Sequence, residues 1–263
     1  MPAGRFVLRA LVTKAPAPGD SLTLPDDIAR QARDVLRLRP GDVIALLDGA
    51  GGEYEASITE VSRREVTAEV GPRREGLANP APPVTLCLGM LKVSRLELVL
   101  QKGTELGVAA FQLLVTERSV ALADELSGTK RRRYERILAE ALEQCGGAWL
   151  PELREPLTLA GALAAVPPGA IPLMPWEEAA GQSLGAALRH EREARPIQGV
   201  WLFIGPEGGF SAAEVALAER HGARVVTLGR RILRAETAAL VAATLALDAL
   251  GALDVGPDAL GAR

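Results

Sequence analysis

Aromatic side chains are scarce, 3% of 263 residues, which excludes an extended stacking platform of the kind that grips single strands. The two cysteines, Cys87 and Cys145, and the two histidines, His190 and His221, stand far apart without metal-ligand spacing. No zinc site and no disulfide framework is expected, and the thiols read as bystanders in a reducing compartment. Neither sign of charge dominates. The formal net charge is −3, so any nucleic-acid contact must come from a local basic patch. The best apolar run, Ala238–Leu247, is too short to span a bilayer and is followed by Asp248. Charges interrupt the opening "MPAGRFVLRALVTK", making it a poor signal peptide. The expectation is a cytoplasmic protein with no membrane and no metal.

What is present has the composition of a globular protein, 48% hydrophobic and 24% charged. Composition shifts at "GPRREGLANPAPP", where Pro, Gly and charges replace apolar periodicity. This predicts a first domain over 1–71, a linker at 72–83 and a second domain over 84–263. Before the linker, strands are expected at 42–47, 53–61 and 65–70 with one helix at 25–38, a small β-barrel or sheet. After it, strands at 84–91, 111–116, 170–174, 200–204 and 224–228 alternate with helices at 94–107, 130–146, 183–193, 211–221 and 235–250. Near-continuous apolar strands separated by helices indicate an α/β fold with a parallel sheet covered on both faces.

Two loops of the second domain carry the functional signal. In "WLFIGPEGGFSAAE" an apolar run ends in Gly205-Pro206-Glu207-Gly208-Gly209, and Ser211 with Glu214 forms a capping box that starts the next helix. The bare backbone therefore lies between a strand's carboxyl end and a helix, where ligands sit in open α/β sheets. It is neither a Walker loop nor a dinucleotide fingerprint, and taken alone it reads first as a structural turn. In "LGRRILRAETAAL" the loop after Leu228-Gly229 carries Ile232 and Leu233, apolar residues suited to a flat apolar ligand such as adenine, with core packing as the plainer alternative. The helix behind this loop is apolar nearly all round and is expected to be buried in a core or a subunit interface.

These two segments, with "QKGTELGV" (101–108), "TERS" (116–119), "EQCG" (143–146) and "VLRLRPGDVIALLDGAGGEYEASI" (35–58), resemble the RsmE-type 16S ribosomal RNA methyltransferases of the SPOUT class. The resemblance covers almost the whole chain. It implies a catalytic domain with a C-terminal trefoil knot, preceded by a PUA-like RNA-binding β-barrel domain. The implied activity is methylation of N3 of uridine 1498 in 16S rRNA of the small ribosomal subunit, with S-adenosylmethionine as donor and a homodimer as the enzyme. The resemblance puts the donor against Leu173 and Met174, the loop Ile204, Gly205, Pro206, Glu207, Gly208 and Gly209, and the loop Leu228, Gly229, Ile232, Leu233, Arg234, Thr237 and Ala238. The chain departs from the family at Gly147, where Arg is frequent, and at Arg230, where Pro is frequent.

Removing the uracil N3 proton leaves an anion, which a cation stabilises and a carboxylate assists. Arg234 is the candidate cation and Glu236 the candidate base, the alternatives being a loop-ordering ion pair and a favourable acid at a helix N-terminus. Arg30, Arg33 and Arg37 are spaced to share one helix face, which alone reads as a solvated face; the resemblance implies that with Arg5 and Arg9 they meet RNA phosphates. "KRRR" (130–133), Lys92, Lys102, Glu105 and Arg118 are further candidates for the RNA cleft. The competing functions are a SPOUT enzyme acting on another RNA position or a ribose, a non-catalytic RNA-binding assembly protein, and a nucleotide-hydrolysing α/β protein, the last lacking a P-loop lysine.

Overall fold

The computed structural model describes residues 7–12, 14–119 and 128–254. The chain divides into two compact units: residues up to Ala78 with Leu142–Leu150, and Asn79–Ala141 with Pro151–Asp254. The Leu142–Leu150 stretch groups with the first unit because it pairs there. Leu77 bridges Gly147, Ala50 bridges Trp149, and the Leu150 N–H donates to the Gly49 carbonyl at 2.9 Å.

In the first unit, β1 (Arg9–Leu11), β2 (Ser21–Thr23), β3 (Val43–Leu47), β4 (Gly52–Val61) and β5 (Val66–Glu75) form one sheet in the order β1-β3-β4-β5-β2. Buried and accessible residues alternate along the first half of β4, as a sheet with one solvated face requires. Ile44, Leu46, Tyr54, Ile58 and Val66 fill the core beneath it. The strand β5 continues into the expected linker because Glu75 and Arg74 stay in register with Gly52 and Glu53.

The expected helix 25–38 is shorter and irregular. After α1 (Asp26–Arg30) the chain widens to a π turn at Gln31–Val35, with the Leu36 N–H donating to the Gln31 carbonyl at 2.9 Å. Arg37 lies beyond it at φ 54°. Arg30, Arg33 and Arg37 therefore do not share a regular helix face, because the wider turn breaks the three-and-four spacing.

The second unit holds a six-stranded sheet in the order β11-β9-β10-β6-β7-β8, every pair parallel. Its strands are β6 (Val84–Gly89), β7 (Ala110–Val115), β8 (Glu152–Thr158), β9 (Ala170–Pro175), β10 (Gly199–Ile204) and β11 (Arg224–Val226). Its helices are α2 (Val93–Leu106), α3 (Thr129–Cys145), α4 (Leu159–Ala164), α5 (Leu184–Ala194), α6 (Ala212–Arg220) and α7 (Ala235–Ala249). Every residue of β6 and β10 is buried, as expected of strands covered on both faces. One core joins the sheet to α2, α5 and α7, where Ala239, Ala242, Ala243 and Ala246 let neighbours approach closely. The other lies under α4 and α6. The strand β8 and helix α4 were not expected. β8 is an edge strand interrupted by Pro156, which such an edge tolerates.

Candidate functional site

The glycine loop after β10 is held in place from three directions. Behind it, the Ser211 hydroxyl accepts the Glu214 N–H at 3.3 Å and the Glu214 carboxylate accepts the Ser211 N–H at 2.9 Å, closing the predicted capping box. The other Glu214 oxygen accepts the Glu117 N–H at 2.9 Å, so the "TERS" turn is tied to the same acid. From that turn Arg118 donates to the Gly208 carbonyl at 2.8 Å. Below, Gly89 at the end of β6 packs so closely that a Cβ there would lie 2.5 Å from the Pro206 nitrogen. Gly209 takes φ 67°, a conformation that favours glycine.

This loop forms one wall of a cavity of about 250 Å³ beyond the carboxyl ends of the strands, the position open α/β sheets reserve for ligands. Pro175 at the end of β9 with Trp176 and Glu177 beyond it forms a second wall, and Thr227–Gly229 with Arg231–Ala235 and Ala238 a third. Ile232 is 87% exposed. An isoleucine left in water beside a cavity has apolar surface that a ligand can cover. Arg234 is the N-cap residue of α7, lines the cavity, and makes no ion pair among the described residues.

A fourth side holds a residue that sequence reasoning missed. Arg95, in the first turn of α2, lines the cavity, reaches Glu207 of the glycine loop at 3.1 Å and lies 3.7 Å from Glu236 of α7. The helix α2 has no side-chain cap of its own. Instead the Lys92 N–H at its start donates to Glu207 at 3.1 Å, a long-range acid satisfying a helix terminus. The second carboxylate oxygens of Glu207 and Glu236 are buried and unpartnered.

The predicted residues sort as follows. Ile204, Gly205, Pro206, Glu207, Gly208, Gly209, Leu228, Gly229, Ile232, Leu233, Arg234 and Ala238 line one cavity. Leu173 and Met174 do not; both are fully buried in the cores, and Pro175–Glu177 take their place. Glu236 and Thr237 are not on the wall either. Glu236 stands in the first turn of α7 as a partner of Arg95, which fits an acid at a helix N-terminus better than a base.

Several cations expected at RNA are already engaged. Arg9 pairs with Glu53 and donates to the Gly146 carbonyl at 3.3 Å. Arg33 donates to Asp34 and to the Ser62 and Arg63 carbonyls, Lys102 pairs with Glu105 at 2.7 Å, and Arg118 serves Gly208. In the basic run, Arg131 pairs with Glu135 and Glu155, and Arg133 with Glu97, so two of its arginines are already engaged. Arg30, Arg37 and Lys92 are exposed and make no ion pair among the described residues; Arg5 lies outside them. Burial pushes the Cys87 thiol up, with Arg154 opposing weakly, in keeping with an inert cysteine. No cluster of potential metal ligands and no helix long and apolar enough to cross a membrane occurs among the described residues.

Family models match two parts of the chain: an RNA methyltransferase PUA domain over residues 24–71 and an RNA methyltransferase domain over residues 78–247. The chain belongs to the RNA methyltransferase family. Among its relatives, the ribosomal RNA small subunit methyltransferase E of Synechocystis is 38% identical over 79% of this chain and 66% of its own length. That of Mycobacterium tuberculosis is 32% identical over 92% of this chain and 90% of its own. The crystal structure of the Neisseria gonorrhoeae methyltransferase E, bound to S-adenosyl methionine, superposes with a TM-score of 0.81 at 29% identity, covering 92% of this chain and 97% of that one.

Proposed function

We propose that this family member transfers a methyl group from S-adenosylmethionine to N3 of uridine 1498 in the 16S rRNA of the small ribosomal subunit, acting as a homodimer with the chain knotted at its carboxyl-terminal half. The observation that carries the reading is the cavity itself, in a chain of this family. The loop Gly205–Gly209, with the carboxylate residue Glu207, and the exposed Ile232 line the same cavity. That combination suits a nucleoside with polar and charged ends. Loop residues 204–209 and 228–234 with Ala238 would hold the donor, which when bound supplies an electrophilic methyl group.

The chain's own part is positioning and charge. Arg118, Gly89 and the Ser211–Glu214 box fix the glycine loop, and a rigid wall of this kind is what holds reactants in attack geometry. Arg234 faces the cavity with its charge uncommitted and would stabilise the uracil anion once the N3 proton leaves. Arg30, Arg37 and Lys92 remain as phosphate contacts, which position RNA without reading sequence.

The test is methyl incorporation from labelled S-adenosylmethionine into unmodified small subunits and naked 16S rRNA, followed by nucleoside mass analysis. N3-methyluridine formed mainly on subunits is expected. A methylated ribose would redirect the reading to another SPOUT target. Donor binding without transfer would leave an RNA-binding assembly protein.

A further inference from the structure

Two carboxyl groups face one guanidinium beside the cavity. Glu207 and Glu236 both address Arg95, at 3.1 and 3.7 Å, and each keeps one buried oxygen without a hydrogen bond. Buried acceptors of this kind are uncommon, and each requires a physical account. Counting side chains, the cluster holds one negative charge in excess, which the N-termini of α2 and α7 offset in part. The other cations on the wall, Arg231 and Arg234, are exposed, so water screens them more strongly than it screens the buried acids. The two acids are not equivalent. Glu207 lines the cavity, whereas Glu236 does not.

We propose that Glu207, held by Arg95 and the Lys92 N–H, is a specificity-determining residue that favours the positively charged sulfonium of the donor over the neutral thioether of the product. The inference rests on the donor reading above and goes beyond it. Glu207 does not merely shape the loop; its charge beside the cavity makes the cavity prefer a cation, so the spent molecule is held less tightly than the fresh one. Arg95 is the positioning residue. It fixes the first Glu207 oxygen and leaves the second uncommitted. Glu236, paired to Arg95 from the far side, keeps that guanidinium from being wholly available to Glu207.

The discriminating quantity is the ratio of affinities for S-adenosylmethionine and S-adenosylhomocysteine, measured by calorimetry on the full chain. The two molecules differ only in the methyl group and its charge, so a change that merely disturbs the loop weakens both alike. Glu207→Gln is expected to lower the preference for the charged molecule by about tenfold, the size of effect a unit charge exerts across several ångströms at a partly buried site. Glu207→Asp should retain part of it. Glu236→Gln, which frees Arg95 to neutralise Glu207, should lower the ratio by a smaller factor and serves if Glu207→Gln does not fold. A Glu207→Gln protein whose two affinities fall together, or do not move, would overturn the inference. A wild-type protein that binds neither molecule would overturn the donor reading itself, and this inference with it.

Discussion

Gly89 is the most demanding position in the cavity's foundation, and its replacement by alanine tests whether the glycine loop is placed by the strand beneath it. A Cβ at Gly89 would stand 2.5 Å from the Pro206 nitrogen, 2.6 Å from Pro206 Cδ and 3.0 Å from the Gly205 carbonyl carbon. Two of these three atoms belong to the backbone and the third to a rigid ring, so no rotamer change relieves the contact. To restore ordinary contact the loop must retreat from β6 by about 0.9 Å, the difference between 3.4 and 2.5 Å. Overpacking of this kind costs about 1–3 kcal/mol, a fall of about 2–12 °C in Tm for a unit of this size. The loop carries much of the donor-facing wall, and displacements of about 1 Å cost on the order of a hundredfold in rate.

Gly229→Ala is the matched control. It has open space around the missing Cβ but φ 115°, so it meets conformational strain and no collision, about 1 kcal/mol or somewhat more. Thermal denaturation by circular dichroism and calorimetric titration with S-adenosylmethionine measure both effects. A Gly89→Ala protein with wild-type Tm and wild-type donor affinity would refute the claim that β6 sets the loop.

Other perturbations separate stability from binding. Arg118→Ala removes the hydrogen bond to the Gly208 carbonyl and should weaken donor binding severalfold, a loss of about 1–2 kcal/mol, with Tm nearly unchanged; calorimetry checks it. Ile232→Ala, at 87% exposure, should leave Tm unchanged yet weaken donor binding by about tenfold if the ligand covers that side chain. Ser211→Ala opens the capping box and should cost about 1 kcal/mol in a denaturant titration.

Glu191 gives a pH signature. Its hydrogen bond from Arg195, with the charges of Arg224, Arg195 and His190, holds its carboxyl below the usual range against the opposing effect of burial. A depressed folded-state value means its stabilisation is complete above the ordinary carboxylate range and is lost as pH falls through the folded value. Glu191→Gln should therefore cost about 1–3 kcal/mol at neutral pH, and the gap to wild type should close on acidification.

The elements legible in the sequence are those whose signal is local. β6 and β10 read as buried strands because "VTLCLG" and "GVWLFI" are apolar throughout. The α6 boundary reads from Ser211 and Glu214 because a capping box is complete within four residues. β1, β2 and β11 are three residues each; only β11, with its apolar "RVVTL", was visible, and β1 and β2 owe their existence to a longer neighbour. The charges were legible only as charges. Arg9, Arg33, Arg131 and Arg133 look alike in sequence to cations awaiting RNA, and it is tertiary placement of Glu53, the Ser62 carbonyl, Glu155 and Glu97 that engages them.

The same physics explains why Arg95 carries no local signal and where its signal lies. Its partner Glu207 is 112 residues away, beyond any window of periodicity. Yet Arg95 precedes the fully buried Val99 by four positions on α2 and adjoins the buried Leu96, so it lies along the apolar stripe and not on the solvated face. A guanidinium on the buried side of a helix must be met by an acid from another element. In a parallel sheet the elements able to supply one at the start of α2 are the loops at the carboxyl ends of neighbouring strands. Of the two strands beside β6, β7 is followed by a loop with Glu117 and β10 by a loop with Glu207, and it is Glu207 that Arg95 meets. A cation on the wrong face of a helix was therefore the sequence's pointer to the cavity's charged wall, legible once the strand order was known.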